Sequence, residues 1–211
     1  CEAFGLTGSP LLKDIARRSV GYLGAAQNPG QAWRYAARSG DNDASVTGWC
    51  LLALRSAELS GLEVPSGAYD GMKAWFAGVT TSDGDVGYTS TADTGRARRQ
   101  RTAPAFDAHD TPVAVAMLCT MYVDRRRAGA EMEKGAAKLA LDRPEWTGRK
   151  LDFCWWYWGS LALFQRDGPR GRDWTAWADA LLEAIPGRVR GKDAGCPRGS
   201  WDPVDAWGRE G

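Results

Sequence analysis

One histidine, His109, stands directly before a carboxylate, Asp110, in a chain of 211 residues. A neighbouring carboxylate can orient an imidazole and hold its charge, so the pair has the makings of an acid–base couple. Nothing near it in sequence resembles a nucleophile with an activating base. His109 therefore reads as a partly exposed loop residue. Asp83-Gly84-Asp85 offers two carboxylates of a calcium loop without the remaining ligand positions, and reads as a turn. Cys196, between Gly195 and Pro197, lacks the glutamine that a thioester would require. The densest run able to touch a ligand is aromatic: Trp155-Trp156-Tyr157-Trp158, with Phe153 and Phe164 close by. Aromatic faces hold apolar chains and stabilise cations through the ring quadrupole. Core packing accounts for such a run equally well, since on a helix these positions point around the whole circumference.

The elements that position these residues follow from periodicity. Pro10–Gln27 is amphipathic, with Leu12, Ile15, Val20 and Leu23 opposed to Lys13, Arg17 and Arg18. Asp43–Ser60 and Thr111–Val123 are apolar nearly all round, and Asp152–Phe164 is dense in aromatics. Tyr69–Val79, Glu131–Leu141 and Trp174–Ile185 are one-sided or mixed. A helix apolar all round must be covered all round. The alternation predicts an all-α fold in which inner helices are backed by an outer layer, forming a concentric double ring or an arc of one. Asp43, Asp110 and Asp152 each open an inner helix at the N-cap position, where a carboxylate accepts from otherwise unpaired N–H groups for about 1 kcal/mol.

A phrase recurs at the turns. Gln27 to Tyr35, with Gly30 and Trp33, is matched near the other end by Gly195 to Pro203, with Gly199 and Trp201. Such repetition marks stacked helical hairpins. The chain reads as one domain over residues 1–211, cut from a longer repeat array, because Cys1 to Gly8 resembles only the tail of a helix with its glycine cap. Residues 80–110 read as a long loop carrying the basic run Gly95 to Arg101.

Composition narrows the function. Lys+Arg number 27 against 26 Asp+Glu, a formal net charge of +1, so no bulk attraction to nucleic acid is implied. No segment has the roughly 20 apolar residues of a membrane span, and no signal peptide opens the chain. The five cysteines have no pairing or zinc spacing, which favours a reducing compartment. The eleven tryptophans suit helix-packing walls and apolar pockets.

The pattern Gln27, Gly30, Trp33 resembles the glutamine–tryptophan motif of the squalene–hopene cyclase and protein prenyltransferase superfamily. The whole chain is similar to the bacterial prenyltransferase/squalene oxidase repeat proteins. The matching phrases are Cys1 to Gly8, Gly30 to Tyr35, Ser45 to Trp49, Val86 to Ser90, Trp156 to Gly159 and Gly199 to Pro203. The resemblance implies an α/α toroid. It also implies, for the cyclases, an aspartic acid that protonates an alkene, with Asp43 at that position, Asp41 as its upstream neighbour and Ala44 where the family has a third aspartate. For the transferases it implies zinc, of whose ligands Asp152 and Cys154 match the first two while no histidine follows them.

The expected protein is thus a repeat scaffold with an incomplete catalytic motif, binding an apolar, isoprenoid-like small molecule or a protein partner, with no cofactor. Its ligand-contacting residues would be Trp49, Trp155, Trp156, Tyr157 and Trp158. The alternative is a cyclase-like or zinc transferase-like enzyme on polyprenyl substrates.

Overall fold

The computed structural model describes residues 1–95, 109–147, 151–191, 196, 198–202 and 204–205. The basic run Arg96 to Arg101, and Gly195, Pro197 and Pro203 of the second turn phrase, lie outside the described residues. Within them the chain is all-helical. The elements are α1 (Glu2–Thr7), α2 (Pro10–Ala26), α3 (Ala44–Leu59), α4 (Ser66–Val79), α5 (Thr111–Val123), α6 (Ala130–Leu141), α7 (Phe153–Asp167) and α8 (Arg172–Ala184). A 3-10 turn covers Pro186–Arg188.

Helices α3, α5 and α7 form a contiguous central row, in which α5 packs against both neighbours. The other long helices flank it: α2 lies on α3, α4 and α6 lie on α5, and α8 lies on α7. Burial follows the sequence pattern. Helix α5 is closed in by four helices and buries Val113, Ala114, Val115, Met117, Leu118, Cys119 and Met121. Flanking α8 buries only Trp177 and Ala184. The alternation of apolar and one-sided helices thus marks which helices sit centrally.

Close approach within the row depends on Gly48, and that of α8 onto it on Gly159. A methyl at Gly48 of α3 would lie 2.8 Å from the Trp158 ring and 3.0 Å from Val115 Cγ1. A methyl at Gly159 of α7 would collide with the Trp177 ring. Trp155, Trp158 and Trp177 are fully buried, each contributing roughly 3 kcal/mol or more of transfer free energy. Most of their indole N–H groups find acceptors: Trp155 Nε1 donates to the Asp142 carbonyl at 2.9 Å and Trp177 Nε1 to Ser160 Oγ at 2.9 Å. Trp158 Nε1 has no oxygen acceptor, and the weakly accepting Cys154 sulfur faces it.

The turn from α2 to α3 is a polar lock. Gly30 takes φ +66, a left-handed conformation open to glycine at no steric cost. Asn28 Nδ2 donates to the Asp41 carbonyl at 2.6 Å and to Asn42 Oδ1 at 3.0 Å. Asn42 Oδ1 also accepts from the Ala32 amide, and Asn42 Nδ2 donates to Gln31 Oε1. Gln27 Nε2 ties this turn to α4 through the Ala68 carbonyl. Trp33 is buried with its Nε1 donating to the Leu23 carbonyl at 2.8 Å, and its own carbonyl accepts from the Asp43 amide. The Gln/Gly/Trp phrase therefore fixes where α3 begins.

Residues 80–95 are more ordered than a long solvated loop. Two isolated antiparallel bridges, Thr80–Val86 and Gly87–Thr94, fold them back on themselves. The Tyr88 carbonyl accepts from the Ala44 amide, so this segment covers the head of α3. Asp83-Gly84-Asp85 is the expected turn, with Gly84 at φ +80 and Asp85 paired to Lys138 at 2.5 Å.

Candidate functional site

Asp43 and Asp152 cap their helices as expected. Asp43 Oδ1 accepts from the Val46 amide at 2.8 Å and from Ser45 Oγ at 2.9 Å. Asp152 Oδ1 accepts from the Trp155 amide at 2.9 Å. Asp110 departs from the expected pattern: its side chain makes no cap bond. Position 112 is proline and has no N–H, and the next amide, Val113, donates instead to the Asp110 backbone carbonyl at 2.9 Å. The Asp110 carboxylate turns toward Gly95, where a methyl would collide with it.

The two aspartates expected to act together are separated by environment. Asp41 is exposed, whereas Asp43 is 1% exposed. Asp43 Oδ2 is buried with no hydrogen bond, and the Arg34 guanidinium faces it with Nε at 3.8 Å. Around it run two hydroxyls that sequence reasoning passed over. Tyr88 Oη donates to Ser45 Oγ at 2.7 Å, and Ser45 Oγ donates onward to Asp43. Burial pushes the Tyr88 phenol up to about 12, with the Ser45 bond opposing and the Asp43 charge adding to it. The chain Tyr88–Ser45–Asp43 holds the carboxylate as an acceptor. Only tertiary packing brings Tyr88 to the head of α3, so no local signal could have found it.

His109 is a correction. It is 4% exposed, not a partly exposed loop residue. Nor is Asp110 its partner: His109 Nδ1 lies 3.0 Å from Asp142 Oδ2, Nε2 lies 3.9 Å from Asp152 Oδ2, and the ring stacks on Trp155 at 5.6 Å. The imidazole thus joins the end of α6 to the head of α7. Burial raises the Asp152 carboxyl above the usual carboxylate range, against the Trp155 amide and His109, and Asp205 adds to the rise. Asp205 Oδ2 in turn accepts from the Phe153 amide at 3.2 Å.

Cys154 is the second residue of α7, half-buried. Burial, then the Asp152 and Asp205 charges, push its thiol up to about 11, so it is a neutral thiol near neutrality. Asp152 spends one oxygen on the cap and turns the other to His109. Among the described residues no three His, Cys, Asp or Glu side chains gather in a metal-binding arrangement. All five cysteines are free, with Cys50 and Cys119 buried and their thiols raised by burial to about 12.

The aromatic run divides in two. Trp155, Trp156 and Trp158 are 1%, 3% and 0% exposed, packed against Trp177 of α8, against Trp146 and against Gly48 of α3 respectively. They are core residues, and a ligand reaches none of them directly. Tyr157 is 43% exposed and Trp49 of α3 is 51% exposed. These two rings stack, centroids 5.3 Å apart and planes at 26°, and both lean edge-on against Trp158. Of the five expected ligand residues, the structure brings Trp49 and Tyr157 together at the surface and places Trp158 beneath them as support.

No helix among the described residues is long and apolar enough to cross a membrane. The chain matches no protein-family model, no curated protein and no solved structure.

Proposed function

We propose that this chain is a non-catalytic helical-repeat scaffold, an arc of an α/α toroid, whose inner helices α3, α5 and α7 present an aromatic surface to an apolar, isoprenoid-like ligand. The observation that carries this reading is the Trp49–Tyr157 stack. Two large stacked rings left half in water cost solvation, and a flat apolar ligand laid across them recovers it. The rings are already fixed by Trp158, so little side-chain entropy remains to be lost on binding.

The acid site supports the non-catalytic reading. A proton donor to an alkene must present an acidic proton to the substrate. Asp43 instead spends one oxygen as a double acceptor and keeps the other buried against Arg34. One feature favours the second reading, a cyclase-like enzyme: that buried Asp43 oxygen has no hydrogen-bond partner.

Calorimetric titration with farnesol tests the first reading. Trp49→Ala and Tyr157→Ala are expected to weaken binding about tenfold each, in line with the loss of one aromatic contact in a pocket or hot spot, while Asp43→Asn binds as the wild type. Loss of farnesol binding in Asp43→Asn alone, or turnover of a polyprenyl substrate that the same change abolishes, would replace the scaffold with the enzyme.

A further inference from the structure

Helices α4 and α6 both rest on α5 and leave between them a cleft of about 440 Å³. The cleft shares no residue with the Trp49–Tyr157 surface. Its interior is apolar, walled by Phe76, Val86, Val113, Met117 and Met132, all buried. Two of the hydroxyls that line it are turned back on helix carbonyls. Thr80 Oγ1 donates to the Phe76 carbonyl at 2.6 Å and Thr120 Oγ1 to the Ala116 carbonyl at 3.2 Å. These two hydroxyls therefore present no free donor to an occupant of the interior.

The mouth is charged, and its charges do not cancel. Lys73 pairs with Asp124 at 2.6 Å and Arg126 with Glu131 at 2.6 Å. Lys134 has no such partner among the described residues, where its Nζ donates to the Ser82 carbonyl at 3.0 Å. The turn at Gly84 lies beside the stem of this lysine, where a methyl on Gly84 would stand 3.3 Å from Lys134 Cβ. One ammonium is thus held at the lip of an apolar cleft without a counter-charge among the described residues.

We infer that the α4–α6 cleft binds an amphiphile with a single carboxylate head and an unbranched apolar tail, the head on Lys134 and the tail against Phe76 and Met117. At a water's share of about 30 Å³, the volume accommodates on the order of fifteen heavy atoms, a medium-chain fatty carboxylate. The lone ammonium selects the charge of the head group, and the apolar walls select the tail.

The test is calorimetric titration of the whole chain with dodecanoate and dodecyltrimethylammonium below their critical micelle concentrations and with dodecanol below its solubility limit. Dodecanoate is expected to bind most tightly. Lys134→Gln should weaken dodecanoate about tenfold, the loss of one charge-assisted contact, and leave dodecanol unchanged. Ala77→Trp, at an exposed position lining the cleft, should abolish binding of both while the melting temperature stays close to wild type. Trp49→Ala should bind dodecanoate normally, which separates this site from the aromatic surface. Equal affinity for the three head groups, or dodecanoate binding undiminished in a folded Ala77→Trp, would overturn the assignment.

Discussion

The indole of Trp49 and the phenol ring of Tyr157 stack 5.3 Å apart, joining α3 to α7 across the helix that lies between them. Both also touch Trp158, whose ring lies against Gly48. The exposed aromatic surface is therefore the upper layer of a packing contact, and the proposed ligand surface and helix packing share the same residues.

That sharing sets a stability cost for Trp49→Ala. The substitution removes two aromatic contacts and uncovers part of Trp158. Aromatic pairs are worth about 0.5–1.5 kcal/mol beyond area burial, so a loss of about 1–3 kcal/mol is expected in urea denaturation. Trp49→Phe should restore most of the stability.

Gly48→Ala tests the packing from below. The added methyl meets an indole and a valine already in a close-packed core, and overpacking of this kind costs about 1–3 kcal/mol. Gly78, with open space around its missing side chain, serves as the control. Gly78→Ala should stabilise α4 by up to about 1 kcal/mol, which differential denaturation would resolve.

Asp43 should behave as a cap. Asp43→Ala removes the acceptor of the Val46 amide and leaves Arg34 facing a void, for a loss of about 1–2 kcal/mol. Asp43→Asn keeps an oxygen acceptor and should lose less. If Asp43→Asn proved as damaging as Asp43→Ala in thermal melts, the carboxylate's charge rather than its cap bond would be what α3 requires.

Acid sensitivity is expected at Glu58. Burial alone would raise its carboxyl, but the Arg55 hydrogen bond and the Arg55 and Arg125 charges outweigh it and hold it below its ordinary value of 4.5. A carboxyl with a depressed folded-state value stabilises the fold fully above the unfolded value and loses that contribution as pH falls through the folded one. The stability difference between wild type and Glu58→Gln should thus be present above about pH 4.5 and close below it. Partial exposure of both partners keeps it under about 1 kcal/mol.

Much of the fold was legible because its signals are local. The all-round apolar runs Asp43–Ser60 and Thr111–Val123 became central helices, and the one-sided runs became flanking ones. Helix α4 starts a turn before the expected Tyr69, because the helix opens directly after Pro65 and ahead of its apolar stripe. The site was less legible because its contacts are distant in sequence. His109 reaches Asp142 and Asp152, Tyr88 reaches Ser45, and nothing in the spacing of these residues announces that they meet. Aromatic density marked α7 as the helix richest in rings. It did not show that three of the four adjacent rings are buried, which depends on Trp177, Trp146 and Gly48 packing against them.

The most direct test follows the indole N–H resonances of the ¹⁵N-labelled chain during titration with farnesol, the Trp49 signal being assigned by its loss in Trp49→Phe. The Trp49 resonance is expected to shift progressively, while those of buried Trp155 and Trp177, held by the Asp142 carbonyl and Ser160, stay in place. A titration that moves Trp155 or Trp177 and leaves Trp49 unmoved would contradict a ligand surface built on the Trp49–Tyr157 stack.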